Sequence, residues 1–220
     1  FGDDSPAHRV QSSKLLSTFL LTMRGTPYYY MGDEIGMTNA KFDSIDDYND
    51  LMTINWYNLT KNEGGDAEML LESHKLSGRD NARTPIQWDD SVNAGFTTGK
   101  PWLKVTGNYP EINVAAQEED PDSPLNYFRQ LTRLRKENLT LVYGAYELLL
   151  PDDEHIYAFT RKLDDEVILV LLNYSGSQQH CPLEPALIGD NVMINNYAAL
   201  QSDDSGYTLE PWQAVVIRIA

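Results

Sequence analysis

"GTPYYYMGDEIGM" occupies residues 25–37, and its reading decides the fold. An aromatic run opened by Pro27 breaks into an acidic pair, Asp33 and Glu34, set between Gly32 and Gly36. A short apolar run bounded by a proline and a glycine predicts a buried strand over "TPYYYM". Upstream, residues 5–24 predict a helix. Ser5-Pro6 suits a helix start, and Leu15, Leu16, Phe19, Leu20 and Met23 recur at helical spacing to form one apolar face. Gly25 ends it. Helix, tight turn and buried strand make a unit of α/β architecture. The C-terminal end of such a strand carries the chemistry in α/β folds, which makes Asp33 and Glu34 the first candidates for a site. Neighbours on a strand point to opposite faces, so the two could not both flank one bond.

Working outward, residues 38–120 are rich in Asp, Asn, Gly and Thr. Two short helices are predicted inside this stretch, near 44–58 and 66–76, with Asp66 capping the second and Gly78 closing it. Then comes "GRDNARTPIQWDD", residues 78–90. A long irregular stretch of this kind is functional or disordered, and its neighbours Phe96, Trp102 and Tyr109 argue for order. Residues 122–138 give the clearest helix. Leu125, Phe128, Leu131 and Leu134 share one face, while Arg129, Arg133 and Arg135 lie elsewhere and suit the helix dipole. After residue 140 the period changes. "YGAYELLL", "HIYAFTRK", "EVILVLLN", "NVMINN" and "WQAVVIRI" are strand-like runs separated by turn residues, which predicts a small antiparallel β-domain, a sandwich, over 141–220.

The formal net charge of -16 repels phosphate backbones and anionic lipid, so neither nucleic acid nor a membrane is expected as a partner. The longest aliphatic run, "VILVLL" at 167–172, is far too short to span a bilayer. The N-terminus "FGDDSPAHR" is acidic and has no signal-peptide core. The chain has one cysteine, Cys181, so no disulfide framework exists. That leans toward a reducing, cytoplasmic setting. The N-x-S/T triplets at Asn58, Asn138 and Asn173 are read as unmodified. His8, His74, His155 and His180 are scattered without ligand spacing, so no metal site is expected. No phosphate-binding glycine loop and no Gly-x-Ser-x-Gly elbow occurs, and no cofactor is expected.

"MRGTPYYYMGDEIGM" followed by "SGRDNARTPIQWDDSVNAGFTTGKPWLKV" resembles the α-glucosidase branch of the α-amylase family, with the oligo-1,6-glucosidases nearest. The helix "SPLNYFRQLTRLRKEN" and the terminal β-domain follow the same pattern. The resemblance covers essentially all 220 residues. It implies the C-terminal part of a (β/α)₈ barrel over residues 1–140, holding the eighth strand, long eighth loop and eighth helix, followed by an antiparallel β-sandwich over 141–220. It also implies a retaining mechanism, in which two carboxylates lie close together across the scissile bond. In the family those carboxylates, and a third that binds the sugar, lie upstream of the equivalent of Phe1, so no catalytic residue is expected here. A complete barrel takes about 250 residues, which 1–140 cannot supply.

The same resemblance makes Asp33 and Glu34 part of a segment that shapes and supports the site. It makes Arg79, the first arginine of "GRDNARTP", a ligand of the glucose at the non-reducing end, where hydroxyls need a forked donor. Such a blocked pocket favours exo-cleavage. Arg83 is read as structural. Trp88, Phe96 and Trp102 offer faces for sugar stacking, but packing under the loop is the reading adopted. The expected function is a portion of a hydrolase acting on α-1,6- or α-1,4-linked glucosides such as isomaltose or malto-oligosaccharides. A sucrose isomerase, a trehalose-6-phosphate hydrolase, a non-catalytic scaffold of the same fold and an inert fragment are the alternatives. The intact "GRDNARTP" favours an enzyme. The lone chain is expected to hydrolyse nothing, and to need the N-terminal part of the barrel as partner, because open strand edges and apolar faces invite aggregation.

Overall fold

A computed structural model describes residues 2–220. The chain forms two compact units, one from the residues up to Gly36 together with Asp120–Ala220, the other Met37–Glu119.

The first unit opens with helix α1, Arg9–Thr22. It starts later than Ser5-Pro6 suggests, because the Ser5 carbonyl closes a turn by accepting from His8 and Arg9 N–H first. Leu15 is buried and Leu16, Phe19 and Met23 pack against the same core, as expected. Leu21 is buried as well, and so are Ser12, Ser17, Thr18 and Thr22. The hydroxyls tolerate burial because they bond back along the helix: Thr18 Oγ1 donates to Lys14 O at 2.8 Å and Thr22 Oγ1 to Thr18 O at 2.6 Å. Thr18 also meets the buried Tyr127 hydroxyl at 2.9 Å.

The predicted strand over "TPYYYM" is not a strand. Residues 26–30 carry no regular secondary structure and join no ladder among the described residues, and a strand is defined by its ladder. The alternation survives: Tyr29 is half-buried, while Tyr28 and Tyr30 are 86% and 54% exposed. Tyr29 is anchored by its hydroxyl on Ser17 and by its ring against Phe128, 4.3 Å between centroids.

Helix α5, Pro124–Glu137, is capped by Ser123, whose Oγ accepts from Asn126 N–H at 3.2 Å, and the short α6, Leu139–Tyr143, is capped by Asn138. Strands follow in the order β1 Ala145–Leu149, β2 Ile156–Leu163, β3 Glu166–Asn173, β4 Gln179–Pro182, β5 Asn191–Asn195, β6 Gln201–Asp203, β7 Gly206–Leu209 and β8 Ala214–Arg218. They form a five-stranded sheet, β1-β2-β3-β8-β5, and a three-stranded sheet, β4-β7-β6, with every pairing antiparallel.

The large sheet is covered on both faces, which explains why "VILVLL" is continuously apolar rather than alternating. Ile168, Val170 and Leu172 pack with Val216, Leu15, Leu21, Tyr127 and Leu131. Leu169 and Leu171 face the other way and pack with Val215, Ile217 and the small sheet's Cys181, Tyr207 and Leu209. The Cys181 thiol is pushed up to about 12, mainly by that burial, so it is an inert core residue. Strands β4, β6 and β7 have no counterpart in the sequence reading, being too short and polar to show as apolar runs. Gly206 makes their close approach possible: its φ is 147°, and a Cβ there would lie 2.1 Å from the Cys181 carbonyl oxygen. Asn138 and Asn173 sit in their triplets buried and bonded, Asn173 Nδ2 donating to Ser177 O and Glu210 O at 2.8 Å each.

Two buried arginines hold the exit of α1. Arg135, expected off the apolar face of its helix, donates to the carbonyls of Leu21, Met23, Leu141 and Gly25 at 2.6–3.1 Å. Arg161 donates to Thr22 O at 2.5 Å, Leu141 O at 2.8 Å and Gly144 O at 2.9 Å. These are the carbonyls that helix C-termini leave without partners. The cations bond them directly and complement the helix dipoles.

The second unit contains α2, Leu51–Asn62, and α3, Ala67–Ser77. Asp50 and Asp66 cap them by accepting from Thr53 and Met69 N–H, so the first helix begins later than residue 44 and the cap expected at Asp66 is present. Gly78 follows the last turn of α3, as expected. Phe42, Tyr48, Tyr57, Ala67 and Leu71 form the local core. A short helix α4, Val114–Glu119, closes the unit. No helix among the described residues is long and apolar enough to cross a membrane.

Candidate functional site

In the first unit, Asp33–Ile35 is a single 3₁₀ turn rather than a strand end. Gly32 and Gly36 flank it with φ of 99° and 61°, backbone that favours glycine, and this sharp double turn re-aims the chain. Glu34 folds back so that its Oε2 accepts from Gly32 N–H at 2.8 Å. Desolvation pushes the Asp33 carboxyl above the ordinary carboxylate range, and the Glu34 charge adds to this. The Tyr29 phenol next to the turn is pushed up to about 12, first by its burial. Glu34 thus braces the turn, with the buried arginines fixing the chain's path into it.

In the second unit, "GRDNARTP" is organised around Asp80, which is fully buried. Its Oδ2 accepts from Asn49 and Asp50 N–H at 2.7 and 2.8 Å, and its Oδ1 pairs with Arg83 at 3.2 Å. Arg83 also reaches Asp50 at 3.6 Å. Residues 79–83 therefore form a 3₁₀ turn locked onto the N-terminal end of α2. Asn81 Nδ2 donates to Lys75 O at 3.1 Å and satisfies the end of α3. Asp80 and Asp50 had no place among the sequence candidates. The i,i+3 spacing of Asp80 and Arg83 was the signal that could have found the first.

Within this frame the two arginines part company. Arg83 is engaged as a structural residue. Arg79 is exposed, and its guanidinium makes no hydrogen bond or ion pair among the described residues. A forked, always-charged donor held on a rigid turn with its donors unused suits neighbouring hydroxyls or an anionic group. Trp88, Phe96 and Trp102 are 50%, 46% and 66% exposed, so the expected packing under the loop is not what the structure shows. The peptide groups around Trp88 are what the loop uses: Trp88 N–H donates to Ala94 O, and its carbonyl accepts from Ala115 N–H, both at 2.9 Å.

The Asp50 carboxyl is held below the usual range by its bonds from Thr53, opposed by desolvation, and then by the charges of Arg79 and Arg83. A depressed value contributes stability that is present above the unfolded pKa, about 3.9, and lost as pH falls through the folded value. Asp50→Asn is therefore expected to be less stable than the parent at neutral pH, with the difference in Tm shrinking toward zero by about pH 2. A difference that stays constant across that range would refute the assignment.

Residues 1–144 match the α-amylase catalytic domain and residues 146–216 the maltogenic amylase C-terminal domain. The chain belongs to the α-amylase family. It is 47% identical over 223 aligned residues to an oligo-1,6-glucosidase of Parageobacillus thermoglucosidasius, covering 100% of this chain and 40% of that protein. It is 38% identical to a trehalose-6-phosphate hydrolase of Bacillus subtilis, with 100% and 39% covered. A mutant isomaltulose synthase of Erwinia rhapontici, solved with its natural substrate sucrose, superimposes with a TM-score of 0.93 at 41% identity, over 99% of this chain and 40% of that one. The chain thus spans about 40% of the length of these relatives.

Proposed function

We propose that these 220 residues are the C-terminal portion of a retaining, exo-acting α-glucosidase that hydrolyses α-1,6- or α-1,4-linked glucosides of short oligosaccharides. Residues 1–140 would be the C-terminal segment of its barrel and 141–220 its β-sandwich domain. The observation that carries the reading is Arg79. It is exposed on a turn fixed by Asp80, Asp50 and Arg83, and its donors are unused among the described residues. In this reading Arg79 binds the hydroxyls of the terminal glucose, and the carboxylates that break the bond lie upstream. Five of the relatives matched are named oligo-1,6-glucosidases or probable ones, which favours that substrate class over sucrose isomerisation or trehalose-6-phosphate hydrolysis. The site is assigned no metal and no cofactor. A cytoplasmic location is in keeping with the buried, unpaired Cys181.

Rates on isomaltose, maltose, sucrose and trehalose 6-phosphate test the reading, combined with a denaturing mass spectrum that establishes which chains the sample holds. The reading requires glucose release from isomaltose or maltose by the protein that includes the barrel's N-terminal part, and none from the 220-residue chain alone. Isomaltose hydrolysis by the lone chain, or turnover of sucrose alone by the longer protein, would contradict it.

A further inference from the structure

A cavity of about 290 Å³ lies inside the first unit, walled by α1, the start of α5 and the turn after β5. Small-molecule sites span roughly 300–1,000 Å³, so this one suits a ligand of monosaccharide size. Two side chains from one face of α1, Gln11 and Lys14, line it. Lys14 is only 6% exposed, yet among the described residues its ammonium makes no hydrogen bond and no ion pair; it lies over the Tyr127 ring, 5.4 Å from the centroid. Gln11 Oε1 is buried and has no hydrogen-bond partner among the described residues. A buried donor and a buried acceptor left unsatisfied on one wall are each costly, and both are relieved by a ligand that donates and accepts.

The opposite wall is already committed. Asn195 Oδ1 accepts from Tyr197 N–H and Gln213 Nε2, both at 3.0 Å. Asn196 Nδ2 donates to Gln11 O at 3.1 Å and Trp212 O at 2.8 Å, while its Oδ1 accepts from Ala214 N–H at 2.8 Å. Tyr197 donates its hydroxyl to Pro211 O at 2.7 Å. This wall is rigid and saturated, and the polar groups it leaves to a ligand are those of Gln11, Lys14, Asp122 and Gln130.

That set decides the ligand class. An anion would meet Lys14 but also the Asp122 carboxylate, the nearby Asp120 charge and the unpaired Gln11 oxygen, in a chain of net charge -16. A cation would meet Lys14. A neutral polyhydroxylated molecule suits all four groups, because each hydroxyl donates once and accepts twice. We propose that this cavity is a binding site for a neutral sugar of about one ring, held by Lys14 Nζ donating to one hydroxyl and Gln11 Oε1 accepting from another. It lies within one unit and contains neither Arg79 nor the Asp33–Glu34 turn.

The test is a saturation-transfer NMR titration of the longer protein carrying Arg79→Ala, with glucose as the first probe and inorganic phosphate as the second. Removing Arg79 suppresses glucose bound at the proposed active site, and reading binding rather than turnover separates this proposal from the catalytic one. Glucose is expected to bind. Lys14→Met and, independently, Gln11→Ala are each expected to weaken it about tenfold, the scale of one hydrogen bond to a buried group. Phosphate is expected to show no binding. Absence of glucose binding, glucose binding that neither substitution alters, or phosphate binding abolished by Lys14→Met would each overturn the proposal. Gln11→Ala keeps the test decisive if the lysine variant does not fold.

Discussion

Replacing Arg79 with alanine is expected to cut kcat/KM for isomaltose about 100-fold or more in the proposed α-glucosidase, while leaving the Tm unchanged. The two halves of that expectation have separate causes. A guanidinium fork gives two charge-assisted hydrogen bonds, each contributing about 1.5–3 kcal/mol, and about 2.7 kcal/mol is already 100-fold. The fold does not depend on these donors, because they are unused in the structure, and an exposed substitution of this kind stays within about 0.5 kcal/mol. Arg79→Lys keeps the charge but not the fork, so it is expected to recover only a small part of the rate. Activity near that of the parent in a folded Arg79→Ala protein would remove Arg79 from the site. A large drop in Tm would instead make it structural, like Arg83.

The second large effect lies in the first unit. Arg161→Met is expected to destabilise the protein by about 3 kcal/mol, which is roughly 6–12 °C in Tm. Burial, followed by the charges of Arg135 and Arg24, lowers the Arg161 guanidinium from 12.5 to about 10. That shift corresponds to roughly 3 kcal/mol against the charged form. Methionine relieves this penalty but removes the donors to Thr22, Leu141 and Gly144. Those three bonds are worth about 1.5–3 kcal/mol each with a charged donor, so the loss wins over the relief. Arg161→Lys supplies a single ammonium where three carbonyls need a fork, and is expected to recover less than half of the stability. An Arg161→Met protein as stable as the parent would show that the desolvation cost balances the bonds.

These two arginines also mark where the sequence could be read and where it could not. "EVILVLLN" and "WQAVVIRI" announced the central strands because a sheet buried on both faces needs continuous apolar side chains. α5 was legible from its leucines, and α3 from Asp66 and Gly78 at its ends. Arg135 and Arg161 were illegible because their partners are backbone carbonyls, which leave no trace in residue identity. The apolar face of α1 was legible, but its buried hydroxyls were not: Ser17, Thr18 and Thr22 bond along the helix itself. "TPYYYM" has the pattern of a strand, but a ladder depends on residues far away in sequence. In the candidate site, "GRDNARTP" drew attention to Arg79 through family resemblance. The i,i+3 spacing to Arg83 hinted at Asp80, but its part in fixing the turn rests on bonds to Asn49 and Asp50 N–H, 31 and 30 positions back along the chain.

In the function proposed above, Arg79 and its turn belong to a retaining α-glucosidase. The most direct test is proton NMR of isomaltose during the first minutes of hydrolysis by the longer protein, before the released glucose mutarotates. Retention requires two displacements at the anomeric carbon, so the glucose from the non-reducing unit must appear as the α-anomer, in excess over the anomeric mixture that the freed reducing-end glucose brings with it. An initial excess of β-glucose over that mixture, or no glucose from isomaltose or maltose at any protein concentration, would contradict the proposal.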